Sequence, residues 1–324
     1  MIRTGPKNLI TDVPGLQIGN AHDADVKTGV SVVLPNAPAR CAVDVRGGGP
    51  GTRETDALGG SSLVDSVHAI VLSGGSVYGL AAADQVTALL GAQGVGYVAA
   101  PAPVPVSPIV PSAILFDNAN GGNKDWGKTP PFARLGEEAL ANVAVDFKIG
   151  AVGAGYGATA GLYAGGLGSV SEMVEGYTVG ALIAANPVGS PFMPGTECFH
   201  AWAYEFDGEY GGVRLPAEYK LSPAQDTKLA FLKAAGAATV IGVVAIDAPL
   251  SQKQLRRLAI MAQDGIAMAV QPSHTPLDGD TLFALSTVQG STGISPVMLA
   301  ELGAAAARCV ARALSRGVYA AMNG

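Results

Sequence analysis

The run Thr239-Val240-Ile241-Gly242-Val243-Val244-Ala245-Ile246 has no charge and is rich in β-branched residues, so it reads as a strand buried in a sheet. Asp247-Ala248-Pro249 follows, then Ser251 with Gln254 three residues on, a capping box that opens a helix. Leu255, Leu258, Ala259 and Ala262 give that helix one apolar face. Further strands are predicted at 30–35, 42–45, 69–72, 96–99, 109–116, 147–152 and 178–184. Trp202, Tyr204 and Phe206 alternate with small or charged residues, as in a half-buried strand. A helix is predicted over about 77–90, where Leu80, Ala83, Val86 and Leu90 keep helical spacing before Gly91 and Gly94. Ser295-Pro296 opens a last helix that runs to about Met322. Residues 214–238 show no period and read as the least ordered part. Strands alternating with helices make the fold class α/β.

Apolar residues are 48% of the 324 and charged ones only 14%, so most of the chain belongs in a multilayer core, a composition that also suits an oligomer. Net charge is -6 with no basic stripe, which argues against nucleic-acid binding. The start of the chain lacks the apolar run of a signal peptide. Gly and Pro break the apolar stretch 80–101 before it reaches membrane-spanning length. Cys41, Cys198 and Cys309 are too scattered for a disulfide framework or a metal site. A soluble cytoplasmic protein is expected, with neither metal nor cofactor.

Gly153-Ala154-Gly155-Tyr156-Gly157-Ala158 fits a relaxed dinucleotide fingerprint, and Glu172 lies near the offset of a ribose-binding acid. That mechanism needs a helix to start there, and the glycines of 161–168 oppose one. The loop after Arg46 lacks the Gly-Lys-Ser/Thr of a phosphate loop. His22, His68, His200 and His274 show no metal spacing. Ser76 misses a nucleophile elbow by one residue and reads as a helix cap. Asp278-Gly279-Asp280 is either a carboxylate pair that holds a cation, such as a substrate amine, or a plain Asx turn. By pattern alone Thr239 is a strand residue.

Seven stretches in order along nearly the whole chain resemble the DmpA-type self-processing aminopeptidases (peptidase family S58). This group includes β-peptidyl aminopeptidases and nylon-oligomer hydrolases. The stretches are Ile10-Thr11-Asp12-Val13-Pro14-Gly15 with Ile18-Gly19, Asp44-Val45-Arg46-Gly47-Gly48, and Leu72-Ser73-Gly74-Gly75-Ser76. They continue with Ile109-Val110-Pro111, Val152-Gly153-Ala154-Gly155, Asn186-Pro187-Val188-Gly189, and His274-Thr275-Pro276-Leu277-Asp278-Gly279-Asp280-Thr281-Leu282-Phe283-Ala284.

The resemblance implies an αββα four-layer sandwich of the DmpA and ornithine acetyltransferase type, N-terminal-nucleophile-like. It implies one cut between Ala238 and Thr239, giving an α chain (1–238) and a β chain (239–324). The freed α-amine, with a pKa near ~8, would act as base for the Thr239 hydroxyl. Asn186 would donate to the oxyanion, and Asp278 and Asp280 would orient the amine and bind a substrate amino group. Arg46, Gly74, Gly75 and Ser76 would line or support the pocket, with Tyr163 as a further polar group. Leu162 and Ala238 depart from the nylon-hydrolase branch, which has polar residues at both positions.

The expected function is hydrolysis of short peptides or amides, possible substrates being α-, β- or ω-aminoacyl amides. The alternatives are an acyltransferase of the same fold or an uncleaved relative that binds amines or peptides. A homo-oligomer, by resemblance a tetramer, is expected.

Overall fold

The computed structural model describes residues 3–230, 238–290 and 293–324. Its strands are β1 (Leu16–Asp23), β2 (Thr28–Pro35), β3 (Ala39–Val45), β4 (Thr52–Arg53), β5 (Ser66–Val67), β6 (Ile70–Ser73), β7 (Ser112–Ile114), β8 (Thr159–Ala160), β9 (Tyr163–Ala164), β10 (Gly166–Val174), β11 (Tyr177–Asn186), β12 (Thr239–Ile246) and β13 (Thr281–Ser286). The helices are α1 (Ala81–Ala92), α2 (Phe132–Ala141), α3 (Gln252–Ala269) and α4 (Pro296–Asn323). One sheet has the order β10-β11-β12-β13-β3-β5 and the other β1-β2-β6-β7-β4; β8 and β9 pair apart.

The layering follows from alternation along β12, which lies between antiparallel β11 and parallel β13. Ile241, Val243 and Ala245 enter the apolar layer between the two sheets, with Ile70, Leu72, Val43 and Phe283. Val240, Val244 and Ile246 face the other way, into the layer beneath α3 and α4. A third layer, with Val30, Val32, Val86 and Phe132, packs α1 and α2 on the smaller sheet. The result is the αββα sandwich. A strand with a core on each face shows no side to water, which is why 239–246 carries no charge. Thr239 shares its parity with Ile241, so the pleat directs its side chain between the sheets.

The expected starts of the last two helices are present. The Ser251 hydroxyl accepts from Gln254 N–H at 3.3 Å, and Gln254 Oε1 accepts from Ser251 N–H at 3.0 Å. Ser295 accepts from Met298 N–H at 3.1 Å, with Pro296 in the first turn. Among the described residues no helix is long and apolar enough to cross a membrane.

Several local expectations fail. The strands expected at 96–99 and 147–152 are reduced to single bridges, Tyr97 with Ser107 and Gly150 with Leu167. The strand expected over 109–116 shortens to β7. His200–Tyr204 is a 3-10 turn rather than a strand, and its alternating aromatics pack separately, Tyr204 against the apolar layer and Trp202 under Arg214. The helix expected from 77 begins as a 3-10 turn at Ser76–Leu80. Gly153–Gly155 is also a 3-10 turn, so no helix starts at the dinucleotide-like motif.

Strands β1 and β10 and helix α2 escaped sequence reading. In β10 the reason is close approach: a Cβ on Gly168 would lie 1.8 Å from the carbonyl oxygen of Ala313 in α4. Within 214–238, residues 231–237 lie outside the described residues, and 214–230 holds only the 3-10 turn Lys228–Ala230.

Candidate active site

β12 begins at Thr239, paired across the sheet with Asn186, the last residue of β11. The Thr239 hydroxyl donates to the carbonyl of Ala238, the residue before it. Gly279 N–H lies 2.9 Å from that same carbonyl oxygen and 3.1 Å from Thr239 Oγ1. The 238–239 peptide therefore has a hydroxyl beside it and a main-chain donor on its oxygen. Thr239 is only 2% exposed, yet it reaches a cavity of about 220 Å³ lined by Gly49, Pro50, Gly51, Ser76, Val77, Leu80, Ile114 and Phe116.

The 274–280 turn pins this strand end. Asp280 Oδ1 accepts from Val240 N–H at 2.7 Å, while its Oδ2 takes His274 N–H at 3.1 Å and meets His274 Nδ1 at 2.7 Å. Asp278 Oδ1 accepts from Val188 N–H at 3.0 Å, and Oδ2 from Thr275 N–H at 2.9 Å. Burial, then the neighbouring Asp280, pushes the Asp278 carboxyl above the usual carboxylate range. For His274 burial works downward, but the bond to Asp280 and its charge outweigh it and hold the imidazole above its ordinary value. Both carboxylates are about 1% exposed and spend their oxygens on the turn and on the backbone of neighbouring segments.

Asn186 is equally buried. Its Oδ1 accepts from Thr159 N–H at 3.0 Å and from Lys228 Nζ at 3.0 Å. These donors identify the oxygen side of the amide, so the NH2 faces the other way, where it donates to Phe116 O at 2.9 Å. Phe116 is itself a wall of the Thr239 cavity.

Residues 8–323 match the family model of peptidase family S58. The chain belongs to peptidase family S58. This S58 peptidase is thus a hydrolase acting on peptide or amide bonds. It is 41% identical to an uncharacterized aminopeptidase of Mycobacterium tuberculosis, over 96% of this chain and 93% of the relative. It is 30% identical to a 6-aminohexanoate-oligomer endohydrolase of Kocuria sp., over 88% of this chain and 76% of the relative. Two solved structures share the fold at 22% identity and a TM-score of 0.71. One is a Burkholderia sp. beta-aminopeptidase, aligned over 98% of this chain and 88% of its own. The other is the L-aminopeptidase D-Ala-esterase/amidase of Ochrobactrum anthropi, a variant of the Ntn hydrolase fold, aligned over 97% and 86%.

Within the S58 peptidase, Thr239, Asn186, Asp278 and Asp280 come together at one end of the larger sheet. The acidic pair differs from expectation in direction: neither carboxylate is in the wall of the cavity. Ser76 does line the cavity, but it is no helix cap; it has φ +53° and makes no capping bond. Gly74 and Gly75 shape the turn that presents it instead of lining the space. Gly75 has φ +82°, and a Cβ there would lie 1.8 Å from the Phe132 ring. Its N–H donates to Asp117 at 2.7 Å.

Arg46 turns away to Asp44 at 2.9 Å and Ile260 O at 3.1 Å, because a cation beside a buried carboxylate is held there. Its loop still contributes Gly49 to Gly51. Tyr163 lies elsewhere, donating to Asp226 at 2.9 Å in a separate cavity. Burial and then Asp226 push its hydroxyl up to about 12. Lys228 is the residue that sequence reading missed. In sequence nothing separates it from Arg214, Lys220 and Lys233, the other cations of a segment without period.

Proposed function

We propose that this chain is a self-processing N-terminal-nucleophile hydrolase of short peptides or amides, cut once between Ala238 and Thr239. The observation that supports this reading is the Thr239 hydroxyl at the Ala238 carbonyl, with Gly279 N–H 2.9 Å from the same oxygen. Thr239 Oγ1 attacks the Ala238 carbonyl carbon, and Gly279 N–H stabilises the negative charge that grows on the oxygen. The C–N bond breaks, and the hydroxyl proton ends on the departing Thr239 nitrogen. Water then hydrolyses the Ala238–Oγ1 ester, leaving 1–238 with a new carboxylate and 239–324 with a free amine.

That amine, with a pKa near ~8, serves as base for its own hydroxyl in later turnovers. A substrate amide is attacked in the same way, its amine leaves, and water releases the acid. The second N–H of Asn186 stabilises the oxyanion, a role worth about 2.7–4 kcal/mol. Among the described residues, the acceptor recorded for its NH2 is Phe116 O alone.

The cavity walls are small or apolar, and at about 220 Å³ they suit a compact acyl group of an α-, β- or ω-amino acid. The names of the relatives, aminopeptidase and 6-aminohexanoate-oligomer endohydrolase, point the same way. The reading extends to a cytoplasmic protein and to a homo-oligomer, the latter favoured by the 48% apolar composition. Denatured intact mass of the purified protein, with N-terminal sequencing of any fragment, tests the core of it. Two fragments, the smaller beginning at Thr239, are expected; a chain that stays whole after long incubation would defeat it.

A further inference from the structure

Lys228 makes an unusual pair of contacts. Its Nζ lies 3.0 Å from the side-chain oxygen of Asn186 and 3.0 Å from the main-chain oxygen of the same residue. Its own N–H donates to Val188 O at 2.9 Å, so both ends of the residue grip the 186–188 corner that leaves β11. Asp278 holds the same corner from the other side through Val188 N–H at 3.0 Å. Among the described residues no ion pair includes Lys228, although Asp278 is near enough for its charge to be felt. Burying an ammonium without a paired carboxylate is costly. What the fold gains in return is direction. A planar amide can turn over about its last torsion, and two donors at Oδ1 leave only one face for the NH2.

We propose that Lys228 is a positioning residue of the amide-cleaving site: with Thr159 N–H it locks the Asn186 amide so that its NH2 faces the Thr239 cavity. This rests on the self-processing reading above and adds to it a residue that neither touches the substrate nor reacts. The lock is insensitive to the charge state of the lysine. Burial lowers its pKa to about 7, against the raising pull of Asp278, and a neutral amine still has two N–H groups for its two acceptors.

The test is a double-mutant cycle on the processed enzyme, using L-alanyl and β-alanyl p-nitroanilides as probes. Lys228→Met should still be cut before Thr239 and should keep KM within about twofold, while kcat falls about 10-fold or more. Asn186→Ala should lose as much or more. The double variant should be no slower than Asn186→Ala alone, because Lys228 has nothing left to hold. Lys228→Gln, which retains N–H donors, should recover most of kcat. It also takes the place of the Met variant in the cycle should that protein not fold.

Losses that multiply in the double variant, or a Lys228→Met enzyme with unchanged kcat, would overturn the assignment while leaving the hydrolase reading intact. A wild-type protein that stays uncut and cleaves neither probe overturns both.

Discussion

A threonine hydroxyl inside an ordinary strand is inert, because nothing beside it takes its proton. At Thr239 the neighbourhood differs: the preceding carbonyl is within reach of the hydroxyl and carries a donor from Gly279. Thr239→Ala should keep the strand, since Ala fits a buried position, and abolish both cutting and hydrolysis. Intact mass should show one full-length chain, and a cut T239A protein would remove Thr239 as nucleophile.

Lys228 gives a prediction in pH at the same scale. Its folded pKa of about 7 lies below the ordinary 10.5, so between those values the unfolded chain binds more protons. Stability attributable to this group therefore rises with pH across that window, and the cost of the buried charge is fully present below it. Urea unfolding of processed wild type and Lys228→Met between pH 7 and 10 should show a flatter slope for the variant. Equal slopes would mean that the folded protein does not hold the Lys228 amine neutral.

At the scale of elements, the decisive join is the 274–280 turn against the start of β12. A Cβ on Gly279 would lie 2.8 Å from Thr239 Oγ1 and 2.7 Å from Gly49 O. Gly279→Ala should therefore keep its N–H yet displace the hydroxyl, costing about 1–3 kcal/mol and slowing self-cleavage at least tenfold. A time course of fragment appearance measures it, and normal processing would mean that the turn yields easily. As a contrast, Ser251→Ala at the start of α3 should lower stability by about 1 kcal/mol in a thermal melt and leave processing alone.

Elements such as β2, β3, β12 and the caps of α3 and α4 were legible because their signals are local: period, branching and capping side chains. The strand β10 was not, since Gly166 and Gly168 argue against a strand until α4 lies across it. Trp202 and Tyr204 misled for the opposite reason, a period of two inside a segment that folds as a tight turn.

Over the whole molecule, the proposed cut falls between two pieces that cannot easily part. β12 would belong to the smaller piece, yet it is hydrogen-bonded between β11 of the larger piece and β13 of its own. Arg312 on α4 is fully buried and forked on Glu209, at 2.6 Å from Nε and 3.1 Å from Nη2, and it also reaches Asn8 and Ser171. All three of those residues lie before the cut. Processed protein should elute as one species under native conditions and separate only in denaturant. Glu209→Gln should leave the guanidinium buried without its counter-charge and cost about 3–5 kcal/mol, read from urea unfolding. A loss under 1 kcal/mol would show that the fork adds little to cohesion.

Sequence by itself determined the α/β class, the buried strand at 239–246, the starts of the last two helices, and the family whose motifs name Thr239, Asn186, Asp278 and Asp280. Each is written in contiguous residues, where period, charge and spacing act over a few positions. Only the tertiary structure decided what those residues face. It turned the two aspartates onto backbone N–H groups, paired Arg46 with Asp44, drew Tyr163 to Asp226, and set Lys228 on Asn186. Such choices depend on which buried donor finds which acceptor across distant segments, and an unpaired polar group in the core is costly enough to enforce them.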